Sequence, residues 1–168
     1  MDENLKTHIE RGQLENVVHE IENVANVNTL FDDGFTPLTK CSTFSHYNLE
    51  IAKVLLERGA DVNIRDRDGK SVLHRCCYNN YPEILKLILK YNPDINIREG
   101  FNRTPLMIAA HYGHIEIAKK IIDCGANLYL EDRVGRTFLE YIGNKNNKDK
   151  LREWSGIPQG LNIKPAKK

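Results

Sequence analysis

His74, Cys76 and Cys77 lie within four residues of one another, so a base and two thiols stand close along the chain. Nucleophilic chemistry needs more than proximity: the base must be aimed at the sulfur inside a cleft. The remaining cysteines, Cys41 and Cys124, stand alone. No Cys-x-x-Cys occurs, adjacent Cys76 and Cys77 are a poor disulfide pair, and the spacings suit neither a zinc site nor a disulfide framework. The expectation is four reduced structural thiols, with no metal and no cofactor. Asp66 and Asp132 precede glycine-containing turns, where Asp bonds its own backbone; they are not a paired acid and base. No phosphate-cradling glycine loop, His-Glu-x-x-His or Gly-x-Ser-x-Gly is present. The residues predict a protein that is not an enzyme.

Length and composition bound the alternatives. The 168 residues carry 24 Lys and Arg against 23 Asp and Glu, a net charge of +1, which argues against a nucleic-acid binder. Charged residues make up 28% and hydrophobic residues 40%, a globular balance. Mean hydropathy is −0.51, and no apolar run approaches the ~20 residues that cross a membrane. The N-terminus, Met1-Asp2-Glu3-Asn4-Leu5-Lys6, is acidic and lacks a signal-type apolar stretch, so a cytoplasmic protein is expected.

The elements that position these side chains come from an internal repeat. Thr36-Pro37-Leu38-Thr39, Ser71-Val72-Leu73-His74, Thr104-Pro105-Leu106-Met107 and Thr137-Phe138-Leu139-Glu140 begin 35, 33 and 33 residues apart. Between them recur Gly59-Ala60-Asp61-Val62-Asn63, Asn92-Pro93-Asp94-Ile95-Asn96 and Gly125-Ala126-Asn127-Leu128-Tyr129. The same ruler makes residues 1–28 a degenerate first repeat and places a two-residue expansion within 42–47. Thr or Ser caps a first helix in each unit, with Pro at its first position in two of them. A second helix follows, its apolar stripe carried by Leu49, Ile51, Ala52, Leu55 and Leu56, by Ile84, Leu85, Leu87, Ile88 and Leu89, and by Ile115, Ile117, Ala118, Ile121 and Ile122. Gly59, Asn92 and Gly125 end these helices, and Gly34, Gly69, Asn102 and Gly135 turn the chain into the next unit.

Thr104-Pro105-Leu106-Met107-Ile108-Ala109-Ala110-His111-Tyr112-Gly113-His114-Ile115-Glu116, recurring in register, resembles the signature of ankyrin repeats. The resemblance spans essentially the whole chain and implies an all-α ankyrin-repeat solenoid of helix-turn-helix units linked by β-hairpin-like turns. About three full repeats stand between degenerate capping repeats. The expected organisation is one domain, 1–156, with repeats near 1–30, 31–65, 66–98, 99–131 and 132–156, then a basic tail, 157–168. Residues 143–168 carry seven cations and two acids, a net charge of +5. Departures fall at the ends: Glu3-Asn4 replaces Thr-Pro in the first repeat and Phe138 replaces Pro in the last.

The resemblance implies a binding module whose concave surface combines the hairpin tips with the exposed face of each first helix. The tips hold Arg65, Arg67 and Lys70, then Arg98 and Arg103, then Arg133 and Arg136, with Phe31, Phe35 and Phe101 nearby. Arg and aromatic residues are enriched anchors of interfaces, so the ridge suits an acidic protein. Lys40, Arg75, Tyr78, Asn79, Ile108, His111 and Tyr112 are expected on the first-helix face, with Ile108 beside Tyr112 an exposed apolar anchor. Phe44 and Tyr47 occupy the expanded loop. The resemblance makes His74 a structural residue and puts Cys41, Cys76 and Cys77 at small buried positions. It also marks Asn63 as similar to sites of asparagine hydroxylation. The function expected is to bind, mask or bridge a partner protein, as an inhibitor or scaffold, the chain being monomeric on its own. Two alternatives stay open: a pathogen or viral effector resembling inhibitors of host transcription factors, acting in host cytoplasm or nucleus, or a regulatory subunit of a larger complex.

Overall fold

The computed structural model describes residues 2–23, 26–43, 48–143, 149, 151 and 153. They contain eight α-helices, two short 3₁₀ helices and no strand. The chain divides into two compact units, residues 1–93 and 94–168.

The first unit holds α1 (Asp2–Glu10), α2 (Leu14–Asn23), α3 (Pro37–Lys40), α4 (Leu49–Glu57), α5 (Val72–Asn79) and α6 (Pro82–Ile88), with a 3₁₀ turn at Leu89–Tyr91. The degenerate first repeat folds as expected: Leu5 and Ile9 of α1 and Val17 and Ile21 of α2 are buried, and the two helices pack together. Helix α1 also packs on α3, α2 on α4, and α4 on α6, so each helix meets its counterpart in the next repeat. The apolar stripe of α4 buries Ile51, Ala52, Leu55 and Leu56, and that of α6 buries Ile84, Leu85, Leu87 and Ile88. Each large side chain withdrawn from water in this way contributes ~1.5–3 kcal/mol.

The second unit holds α7 (Pro105–His111), α8 (Ile115–Asp123) and a 3₁₀ turn at Phe138–Tyr141. Helix α7 packs on α8 and on the 3₁₀ turn. Ile117, Ala118 and Ile121 form the buried stripe of α8, while Ile115 and Ile122 sit at its half-buried margins.

One device starts the first helix of every later repeat. Thr36 has an extended backbone; its hydroxyl accepts from Thr39 N at 3.0 Å, and its own N–H donates to Thr39 Oγ1 at 2.8 Å. The reciprocal acceptor is His74 Nδ1 opposite Ser71, Met107 Sδ opposite Thr104 and Glu140 Oε2 opposite Thr137. This reciprocal cap satisfies two helix-terminal groups at once. It accounts for His74, which is fully buried and bonded to the Ser71 backbone and hydroxyl. Asparagine stitches repeats within each unit. In the first, Asn28 Oδ1 accepts from Asp61 N at 2.8 Å and Asn28 Nδ2 donates to Gly59 O at 3.1 Å. In the second, Asn96 Oδ1 accepts from Asn127 N at 2.8 Å.

Candidate functional site

The tips are built around buried carboxylates. Asp66 Oδ1 accepts the N–H groups of Asp68 and Lys70, both at 2.9 Å. Glu99 Oε1 accepts those of Phe101 and Arg103, and Asp132 Oδ1 those of Val134 and Arg136. These three side chains are only 1–2% exposed. A buried charge is tolerated when it is hydrogen-bonded and paired, and the pairing partners come from two fixed places, four and nine residues after the acid.

In the first unit Arg75, nine residues after Asp66, donates from Nε at 2.8 Å and from Nη2 at 2.5 Å to Asp66 Oδ2, and also reaches Asp68 at 2.8 Å. The Arg75 hydrogen bond holds the Asp68 carboxyl below its ordinary range. The first turn has Phe31, itself buried, where the acid should stand. Its residue nine places on, Lys40, pairs instead with Asp33 at 2.5 Å and Glu10 at 2.8 Å. Phe35 lies between the Lys40 ammonium, 4.9 Å from the ring centre, and the Arg75 guanidinium, at 4.8 Å. Lys70 pairs with Asp68 at 3.8 Å and stands 5.8 Å over the Tyr78 ring, which is 44% exposed.

In the second unit Arg103, four residues after Glu99, donates from Nε to its carboxylate at 3.0 Å. Arg136 does the same for Asp132 at 3.0 Å, and Tyr141 Oη donates to Asp132 Oδ2 at 2.5 Å. Burial alone would raise the Asp132 pKa. Hydrogen bonds from Tyr141, two backbone amides and Arg136 outweigh it and bring the carboxyl down to about 2. Burial, reinforced by the Asp132 charge, pushes the Tyr141 phenol up to about 12.

The expected site residues therefore separate. Arg65, Arg67 and Arg133 are exposed and form no ion pair among the described residues. Phe101, Tyr78, His111 and Tyr112 are exposed aromatic or ring groups, and His111 and Tyr112 meet edge to face at 4.8 Å. Arg103, Arg136, Arg75 and Lys70 are committed to carboxylates, and half-buried Arg98 donates to Glu131 O at 3.2 Å. Three positions expected at the surface are corrected. Phe31, Lys40 and Ile108 are 5%, 5% and 2% exposed. Lys40, Arg75, Ile108 and Tyr141 occupy the same place in successive repeats, four residues after each capping Thr or Ser; Lys40, Arg75 and Tyr141 reach carboxylates of their tips, whereas Ile108 is covered. Asn63 is exposed. Phe44, Tyr47 and the tail at 157–168 lie outside the described residues.

Sequence reasoning missed Tyr141 and Val134. The interval of nine residues from Asp132, the same as from Asp66 to Arg75, is the signal that finds Tyr141. Among the described residues no group of three or more His, Cys, Asp or Glu converges, and no helix is long and apolar enough to cross a membrane. Cys41, Cys76 and Cys77 are buried, and burial raises all three thiols well above their ordinary value. Such thiols are poor nucleophiles.

Paired helices, reciprocal Thr and Ser caps and buried-acid tips recur along the described residues and define a helical repeat protein. The chain belongs to the ankyrin-repeat family: the model for ankyrin repeats (3 copies) matches residues 5–99 and 73–152. Ankyrin repeats generally mediate protein–protein interaction and are non-catalytic modules. An ankyrin repeat-containing protein of Schizosaccharomyces pombe is 34% identical over 65 residues, 39% of this chain and 30% of that protein. Fibronectin type 3 and ankyrin repeat domains 1 protein of Mus musculus is 44% identical over 48 residues, 29% of this chain and 14% of that one. Protein phosphatase 1 regulatory subunit 27 of Mus musculus is 34% identical over 77 residues, 45% of this chain and 49% of that one. The chain thus spans half or less of each of these relatives.

Proposed function

We propose that this chain binds a partner protein through its tips and first helices, and so masks or bridges that partner. The observation that carries this is the set Arg65, Arg67, Tyr78, Phe101, Tyr112 and Arg133, which stays exposed although neighbouring tip cations are consumed by internal carboxylates. Exposed arginine and aromatic rings at fixed positions cost little to order on binding. Three guanidinium groups that form no ion pair among the described residues favour an acidic partner surface. Affinity capture with the intact chain tests the reading when run beside R65E/R67E/R133E. These substitutions remove no ion-pair partner of a buried acid, and an unchanged melting temperature verifies that the variant is folded. The same protein should be captured by wild type, weakened by salt and lost from the variant; equal capture by both would remove the tips from the interface.

A second reading is supported by the likeness to a protein phosphatase 1 regulatory subunit. In that case the partner is a larger enzyme, and the chain travels with it in constant stoichiometry instead of associating transiently. Size-exclusion chromatography of the endogenous protein separates the two, because a subunit elutes wholly at the mass of the complex.

A further inference from the structure

The residue three places before each capping Thr or Ser differs between the two units. It is Asp33 and Asp68 in the first, and Phe101 and Val134 in the second. The two acids neutralise Lys40 and Arg75. The two apolar residues neutralise nothing and are not withdrawn from water: Phe101 is 61% and Val134 72% exposed, the highest values among the exposed large hydrophobic side chains described. Both line one shallow cavity of about 200 Å³, together with Arg103, Asp132, Arg133, Arg136 and Tyr141; the Asp132 carboxylate is taken up by Arg136 and Tyr141. Turn positions usually carry polar residues, so two successive tips with large apolar groups facing one cavity call for an occupant.

The walls define its chemistry. Arg103 and Arg136 are fixed by Glu99 and Asp132, so their charge is already balanced. Arg133 is exposed, lies 5.9 Å from the Phe101 ring centre and has no ion partner among the described residues. Its backbone N–H donates to Phe101 O at 3.1 Å, which fixes the start of its side chain against the neighbouring tip. One spare guanidinium beside an apolar cleft offers a two-pronged site for a single carboxylate. The volume lies below the ~300–1,000 Å³ of small-molecule pockets and suits one large side chain. A nucleic acid would need many unpaired cations, and of the three arginines lining this cavity two are paired with buried carboxylates.

We propose that Phe101, Val134 and Arg133 form a docking pocket for a linear acidic segment of a partner protein. A large apolar side chain of that segment seats between Phe101 and Val134, and an adjacent Asp or Glu carboxylate pairs with Arg133. The assignment rests on the protein-binding reading and narrows it to one peptide chemistry.

A random peptide library displayed on phage and panned on the intact chain tests it, followed by fluorescence anisotropy with a synthesised peptide of the enriched sequence. Enriched peptides should place a large apolar residue next to Asp or Glu. Affinity should fall about tenfold or more in R133E and in V134D, and change less than about twofold in K120E, an exposed position on α8 away from the pocket. Unchanged melting temperatures verify that the exposed-site variants are folded. Peptides that bind R133E and V134D as tightly as wild type would overturn the pocket while leaving partner binding elsewhere on the chain intact. A library that yields no such peptide would also overturn it, and the capture experiment above would still decide the broader reading.

Discussion

Arg103 Nε donates to Glu99 Oε1 at 3.0 Å, and the carboxylate that receives it is 2% exposed. An arginine that reads as interface residue in the sequence is thus a structural counter-ion. Arg133, on the next tip of the same unit, has no such duty. The pair predicts opposite outcomes for one substitution. R103E places like charges at a buried site and should cost about 3 kcal/mol, because removing one partner of a buried pair strands the other. R133E should change stability by less than ~0.5 kcal/mol, as surface substitutions do. Urea unfolding of both variants checks this. Equal losses would mean that the tip cations cannot be sorted into structural and available groups.

The Asp132–Tyr141 bond predicts an acid limb. The Asp132 carboxyl ionises near 2 in the folded protein against an ordinary 3.8. A depressed acid stabilises the fold above the unfolded value, so its contribution, on the order of 2 kcal/mol, is complete above about pH 4 and disappears toward about pH 2. D132N forgoes that contribution at neutral pH and should lose less between those limits than wild type. Tyr141, raised to about 12 from 10.0, acts in the other direction: its contribution is complete below about pH 10 and is lost as pH rises through 12. Melting temperature against pH for wild type, D132N and Y141F reads both limbs; parallel acid limbs for wild type and D132N would contradict the assignment.

Two glycines separate strain from collision. Gly34 has φ +81°, and a Cβ there would run into the Arg67 side chain; Gly125 has φ +84° with open space around it. G125A should cost about 1 kcal/mol from the backbone alone. G34A should cost more, because the neighbouring tip must also move. Equal losses in thermal unfolding would show that Arg67 yields freely.

Thiol reactivity tests the reading of the His74–Cys76–Cys77 cluster. Cys124 is exposed, whereas burial lifts Cys41 to about 12 and raises Cys76 and Cys77 as well. Of the four cysteines, one should react rapidly with an aromatic disulfide reagent in the native protein and all four after denaturation. Fast reaction of Cys76 or Cys77 would reopen thiol chemistry at that place.

The fold was legible because its signals are local and repeated. The Thr and Ser caps, the apolar stripes of α4, α6 and α8, and the turn residues Gly34, Gly69, Asn102 and Gly135, all at positive φ, stand where the 33-residue ruler places them. The site was legible only in part. Which arginines are free depends on where buried acids point, and that is set by tip geometry rather than by residue type. Phe31 in place of an acid redirected Lys40 to Glu10 and Asp33, which spacing within one repeat does not show. Ile108 misled because its register position carries Lys and Arg in the preceding repeats, and a cation can reach from a covered place to a carboxylate where an Ile cannot. Tyr141 and Val134 were passed over because the last repeat departs most from its neighbours.

The claim that tips and first helices form the binding surface is tested most directly by hydrogen exchange of the intact chain with and without its captured partner. Slowed exchange at 65–70, 75–79, 101–103 and 133–136 is the predicted footprint. Protection confined to the second helices α4, α6 and α8, with the tips exchanging as in the free protein, would contradict it.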